Sequence, residues 1–585
     1  MNFRKSLVTS YISENPSLIS DPAKLARLIL SETNSNYSLK ELVKEIKETT
    51  TQLLSSDDED SRKRVILSGK TIRTKVDNEF DGNASAAARA MGIPERTVRR
   101  WYSEAKNNNI NTFVVTYGQN DTPVHIGFFN SIQHFLKENV AELVVYKGKY
   151  RNPTSIIESD KEGVSWDSRI KPYLLETHRK LNDRLVIYPA HTSPTAVRPL
   201  SGFDTHTGSS SGIFPHPKFQ FKTVPTPSSS LPKILSTTGA ITVPNYSQSK
   251  AGEKGKHHHI IGAVVVEIVD DKKFHLRQIS AEKDGSFFDI ADGEIKKYSA
   301  DGITKKGLDD DNVVRKYRLE TLVGGDFHFP FVDKNALAAT KKQIIDFQPK
   351  HLFGHDVLDC WSINHHERGN RFLNTAKQEH GLINIENEVD GAVDFIAELT
   401  KLMNGGQVHI VPSNHDDALD RWLHDEQIDN LGINAAYFHY LSYKKHKSAK
   451  VVPTGFSFVD AFQFSAQEKL EYGYGKDITD FVSFLKRDVP LIIKGVDHSM
   501  HGDVGASGAR GSALGLSKIG VKSTIGHSHS PQVIDGCYQM GVNSLIPLGY
   551  AKGASGWLHT NCFQYPSGKR TLITSIDGEF YLKKS

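Results

Sequence analysis

Five times between residues 318 and 529 an apolar, strand-like run ends in a knot of Asp, Asn and His, and this repetition constrains the fold more than any other feature. YRLETLVG leads to Gly-Asp-Phe-His, placing Asp326 and His328, and HLFG leads to His-Asp-Val-Leu-Asp, placing Asp356. GQVHIVP leads to Ser-Asn-His-Asp, placing Asn414, His415 and Asp416. VPLIIKGV precedes DHSMHGD, with His498 and His501, and KSTIG leads to His-Ser-His, with His527 and His529. Strands that end at one edge of a sheet deliver their terminal side chains to one place. In Asp-x-His and His-x-His, alternate residues of an extended strand end project to the same side.

These residue types fit a pair of divalent cations. Two such ions about 3.5–4 Å apart need a bridging carboxylate to offset their repulsion, with imidazoles and a carbonyl oxygen to finish the shells. A water shared by them is deprotonated near neutral pH and attacks phosphorus in line. An isolated Asp-x-His is usually incidental and a lone buried His is usually a satisfied core residue. Five motifs in order weigh against coincidence.

The array resembles the calcineurin-like metallophosphoesterase superfamily, whose motifs run Asp-x-His, Gly-Asp-x-x-Asp, Gly-Asn-His-Asp/Glu, His and Gly-His-x-His. The resemblance covers about residues 320–585. It implies a β-sandwich flanked by helices, with one metal on Asp326, His328, Asp356 and His529 and a second on Asp356, Asn414, His501 and His527. His415 would then stabilise or protonate the leaving oxygen, oriented by Asp416. The single-His motif is open between His498 and His501. His501 is favoured because it opens HGDVGASGARGS, a Gly-rich loop suited to wrap a phosphate and present Arg510 to it. Two positions depart from the family pattern: His355 and Ser413 stand where Gly is usual, and both restrict the backbone of their turns.

The stretches VVTYGQNDTPVH, HPKFQFKTVPTP, HHHIIGAVVVEI, HGDVGASGARGS and GHSHSPQVIDG are also similar to bacteriophage members of this superfamily, the early DNA-transfer nucleases of T5-like phages. That likeness implies a manganese-dependent DNase whose catalytic core is related to the Mre-type repair nucleases. Zinc, iron or magnesium would suit the same N and O donors. Fold alone does not select a substrate. A phosphomonoesterase acting on protein or nucleotides, and a DNA-binding or transfer scaffold with a weak catalytic site, are the competing readings.

At 585 residues the chain exceeds one ordinary core, and an α/β multidomain organisation is expected. Residues 1–110 read as a helical domain, from the periodicity of Leu25, Leu28 and Ile29 and of Leu42, Val43 and Ile46. Within it, residues 83–106 have the pattern of a helix-turn-helix whose second helix carries Arg96, Arg99 and Arg100 as candidate DNA contacts; a packing hairpin is the bland alternative. From Ser61 to Ile110 eleven Lys/Arg face five Asp/Glu, a net of +6 in a chain whose overall charge is only +4.

Residues 111–317 read as an α/β middle domain. TFVVTYGQN, IGFFNSIQHFLKENV and AELVVYKGKY make a strand–helix–strand unit, and the Pro/Ser/Thr/Gly-rich stretch 189–255 reads as long loops. Gln119, Asn120, His125, Asp204, His206, His216 and His257–His259 are polar groups there without ligand spacing. Residues 318–585 form the phosphoesterase domain, with insertions at 360–405 and 417–490 available for a cap or a homo-oligomer interface.

Three cysteines without a CxxC pair provide neither a disulfide framework nor a thiolate zinc site, and a reducing, cytoplasmic setting (the host's, for a phage protein) is expected. No run of about 18 apolar residues marks a membrane span.

Overall fold

A computed structural model describes residues 110–150, 165–227, 230–309, 311–425, 431–453, 455–549 and 552–582, with a few helical positions between residues 25 and 85. Of these, Leu25, Ile29, Leu42 and Ile46 are helical and buried. The expected helix-turn-helix, with Arg96, Arg99 and Arg100, lies outside the described residues apart from Ser85.

Strand β1 (Thr112–Gln119), helix α1 (Ile126–Asn139) and strand β2 (Glu142–Gly148) form the expected βαβ unit, with β1 and β2 parallel. Strands β3 (Gly262–Ile268) and β4 (Phe274–Ser280) extend this sheet in antiparallel fashion. Every residue of β1 is buried because both faces are covered. Val114 packs with Phe128 and Ile132 of α1, while Phe113 and Val115 face a second core on the opposite side.

That second core is the interior of a sandwich. One layer is a six-stranded sheet that includes β5 (Thr321–Val323), β6 (His351–Gly354), β7 (Gln407–Ile410) and β8 (Val482–Phe484), all mutually parallel, in the order β8-β7-β6-β5. Strand β9 (Thr560–Gln564) continues it antiparallel to β5, and β10 (Arg570–Thr574) closes the edge. The other layer is a ten-stranded sheet. It joins strands from residues 179–237 to strands from 492–539, where Phe221 pairs with Val533 and Lys222 with Gln532. One sheet thus draws on chain from both sides of residue 318.

Val323, Phe353 and Cys562 from the first layer meet Phe221, Val533 and Tyr538 from the second. On the outer face, Leu322, Leu352 and Val408 pack under helices α2 (Lys334–Phe347) and α3 (Ile385–Leu402), through Ile344, Phe347, Val389, Val393 and Ile396. Each such side chain, fully buried, is worth about 1.5–3 kcal/mol relative to exposure. The alternation of Leu322 outward and Val323 inward fixes the register in which β5 runs into its ligand-bearing end.

The chain is therefore α/β, with a helix-flanked β-sandwich whose second layer also takes strands from residues 179–237. Two stretches carry more structure than their composition conveys. Residues 189–255 supply the strands Ser211–Phe214, Phe221–Val224 and Lys233–Thr237 as well as loops. Residues 417–490 hold helices α4 (Asp417–Asp425), α5 (Ala435–Lys447) and α6 (Ala461–Tyr474), and also β8, a strand of the main sheet. Among the described residues no helix is long and apolar enough to cross a membrane.

Candidate metal centre

Asp326 follows β5 and is fully buried, its backbone N–H donating to the Gly541 carbonyl at 3.2 Å. Its Oδ2 accepts from the backbone N–H of His527 at 2.7 Å and lies 3.2 Å from Nε2 of His529, while Oδ1 has no partner among the described residues. A side chain at Gly526 would collide here: a Cβ would sit 2.2 Å from Asp326 Oδ1. Glycine at 526 is what lets the His527–His529 turn close over the carboxylate.

His328 is held from behind. Its Nδ1 lies 2.9 Å from Oδ2 of Asp359, and an ionised carboxylate only accepts, so Nδ1 carries the ring hydrogen. The bare Nε2 then faces Nε2 of His529 at 2.9 Å and Oδ2 of Asp356 at 3.5 Å. Asp326, His328, Asp356 and His529 are all buried, with one donor atom of each lying within 4.8 Å of the others. Buried lone pairs of this kind crowd together at a cost unless a cation lies among them.

Asp356 occupies the middle of the site. Its Oδ2 is 3.2 Å from Nε2 of His501, and its Oδ1 has no partner among the described residues. Burial pushes this carboxyl up, but His501, His415 and His328 outweigh it and hold it well below the usual range. His527 stands edge-on to His501 with ring centroids 5.3 Å apart, and its Nδ1 lies 3.0 Å from Oδ1 of Asn414. Oδ2 of Asp356 therefore lies near ring nitrogens of both His328 and His501. A carboxylate shared between two ions requires that placement.

The backbone records the same crowding. His328, Asp356, His527 and His529 have φ of 53°, 43°, 74° and 59°, in the left-handed region that non-glycine residues rarely adopt. Such residues cost on the order of 1–3 kcal/mol each and cluster at functional sites.

His501 and His498 separate cleanly. His501 is in the cluster, whereas His498 stacks on Phe353 at 4.8 Å and places Nε2 3.2 Å from Oε1 of Gln564. Burial and the nearby Arg570 push His498 down to about 3, so it stays neutral.

His415 sits edge-on to His328 with ring centroids 4.5 Å apart. Its Nδ1 donates to the Asp359 carbonyl oxygen at 3.0 Å, which leaves Nε2 as the free ring atom. Burial disfavours its charged form, but Asp356 and Asp359 outweigh that and raise its pKa. The expected orienting role of Asp416 is taken by Asp359. Asp416 is buried, its Oδ1 has no partner, and burial together with the Asp356 charge raises its carboxyl well above the usual range. Ser413 has its own use: its Oγ accepts from the Asp416 N–H at 3.1 Å and shapes the turn into α4.

Arg510 is exposed on the Gly-rich loop and has no hydrogen bond or ion pair among the described residues. That loop is tied instead through Asp503 to Arg487, which also pairs with Asp417 at 2.7 Å. Sequence reasoning passed over Asp359, although it is the last residue of His-Asp-Val-Leu-Asp, and over Arg487, which carries no motif signal. The polar residues of the middle region have local partners: His125 caps α1, His216 reaches the Ser193 carbonyl and His259 the Thr242 carbonyl.

An α/β chain with a buried Asp/His cluster able to hold a metal ion is the class that fold and site define. The chain is similar to Protein A1 of Escherichia phage T5, with 29% identity over 512 residues, covering 84% of this chain and 86% of that protein. No family model matches the chain, and no solved structure does.

Proposed function

We propose that the chain is a metal-dependent phosphodiesterase of the calcineurin-like type, acting on DNA as a nuclease. The observation that carries this reading is the approach of both His328 and His501 to Asp356, with Asp326 and His529 in the same cluster and His527 linking His501 to Asn414. Bound there, two divalent cations, manganese foremost, would activate water and neutralise phosphoryl charge. Their holders would be Asp326, His328, Asp356 and His529 on one side and Asp356, Asn414, His501 and His527 on the other. The buried oxygens Asp326 Oδ1 and Asp356 Oδ1, without a partner among the described residues, fit that demand.

The chain's own chemistry centres on His415. Its Nδ1–H is committed to the Asp359 carbonyl, which leaves Nε2 free to carry a proton that can be given to a leaving oxygen. Likeness to a T5 phage protein supports a phage origin, and a phage enzyme acting on DNA would work in the host cytoplasm. DNA as substrate rests on the basic segment and helix-turn-helix pattern of residues 61–110, with Arg96, Arg99 and Arg100 as contacts and Arg510 as a phosphate ligand. The deciding experiment compares cleavage of plasmid and oligonucleotides with that of a chromogenic monoester and diester, with and without manganese. DNA and diester cleavage that vanishes in chelator is the expected outcome. Monoester turnover alone would move the chain to the phosphomonoesterases.

A further inference from the structure

His355 is fully buried beside the metal cluster, at a position where the family pattern has glycine. Its Nδ1 lies 3.2 Å from Nδ1 of His501, and its Nε2 has no partner among the described residues. Together with Asp326 and His501 it forms a second group of donors within 4.8 Å of one another.

Two imidazole nitrogens at that distance share one hydrogen, and the surroundings decide which ring carries it. Nε2 of His501 faces Asp356 Oδ2 at 3.2 Å, the side from which a cation would be held. To serve there, Nε2 must present its lone pair, so the His501 hydrogen sits on Nδ1 and points at His355. Nδ1 of His355 is then the acceptor. The neighbouring His328 shows the same arrangement, with the Asp359 carboxylate as the acceptor at 2.9 Å.

We infer that His355 is the positioning residue of the second metal subsite: it accepts the Nδ1–H of His501 and fixes Nε2 toward Asp356. This rests on the dimetal reading given above. It has a consequence that the motifs alone do not carry. A charged acceptor raises the basicity of the histidine it holds, whereas a neutral imidazole does so far less. His501 is therefore the poorer donor of the two, and the subsite it serves binds its cation more weakly. Loading is sequential, first at Asp326–His328–His529 and then at Asn414–His501–His527.

Manganese titration of the metal-free full-length protein tests this, by calorimetry and by the Mn2+ electron paramagnetic resonance signal. Wild type should show a tight and a weak phase. His355→Ala should weaken the second phase about 10–100-fold and leave the first unchanged. His355→Asn, which retains an acceptor, should restore part of it. A weak phase unaltered in His355→Ala would overturn the proposal. A weak phase lost equally in both variants, with unchanged thermal unfolding, would also overturn it, because the imidazole itself would then be the ligand. A wild-type protein that binds no manganese, zinc or iron would instead remove the dimetal reading beneath it.

Discussion

Oδ2 of Asp359 lies 2.9 Å from Nδ1 of His328, and the backbone carbonyl of the same aspartate receives Nδ1 of His415 at 3.0 Å. One residue, three positions after Asp356, thus sets the tautomer of a histidine in the Asp/His cluster and of the proposed acid. Asp359→Asn keeps the carbonyl but exchanges the carboxylate for an amide. The variant should bind its tighter metal about 10–100-fold more weakly. It should leave the His415 hydrogen bond in place. Metal titration checks the first point, and an unchanged tight phase would remove Asp359 from the site.

Asp356→Ala should abolish hydrolysis and lower occupancy at both subsites, since one carboxylate touches both sets of donors. His415→Ala should keep its metals and lose about 10²–10⁴-fold in rate, as for other general acids. Metal analysis alongside diester turnover reads both. A His415→Ala protein purified free of metal would make His415 a ligand instead.

His501→Ala and His498→Ala form a paired test. The first should lose the weaker metal phase. The second should keep both, because His498 is committed to Phe353 and Gln564, and should cost about 1–3 kcal/mol of stability from poorer packing and a missing hydrogen bond. The opposite pattern would move the ligand three residues upstream and detach the Gly-rich loop from the site.

Buried histidines also set a pH dependence. Burial pushes His216 and His259 down to about 4 and, with Arg570 nearby, His498 to about 3. These rings stay neutral in the folded chain, while the unfolded chain protonates them near the ordinary 6.5. Their contribution is complete above about 6.5 and lost as pH falls toward 4, at up to about 1.4 kcal/mol per pH unit for each. His501 runs the other way in the metal-free chain: Asp356 outweighs its burial and holds it up to about 9. Its contribution is complete below about 6.5 and lost as pH rises through 9. Urea midpoints of metal-free protein should therefore peak near neutrality and fall steeply below pH 6. His498→Gln should make the acid side shallower, and a flat profile from pH 7 to 4.5 would contradict the buried-neutral assignment.

The cluster was legible in the sequence because strand ends converge whatever lies between them. Asp326, His328, Asp356 and His529 come together as their motifs led one to expect, and His527 lies against Asn414. Discriminating His501 from His498 required the structure, since both follow the same apolar run and only the Phe353 face shows which ring turns inward. His355 was visible as a departure, but not as a partner of His501, 146 residues away. The pairing of Phe221 with Val533 was beyond reach for the same reason, and because FKTV sits in a Pro- and Ser-rich stretch whose composition reads as loop. Asp416 shows the limit of motif transfer. The residue is where the pattern puts it, but its carboxyl is buried away from His415 among other acids, and the backbone of Asp359 supplies the bond instead.

The N-terminal segment is where the choice of DNA is most exposed. If residues 83–106 position a duplex, Arg96, Arg99 and Arg100 meet phosphates or groove edges. Replacing all three with Ala should weaken duplex binding and flatten its salt dependence, by about one unit of log–log slope for each phosphate no longer neutralised. The same protein should hydrolyse a small chromogenic diester at the wild-type rate, because the metal centre is built from residues after 318. Binding at several salt concentrations beside diester turnover separates the two functions. Unchanged affinity and slope would make this segment a packing or assembly hairpin. Loss of diester turnover as well would mean that the segment helps build the site. In either case the Asp356 cluster would stand, and DNA would lose its main independent support as the substrate.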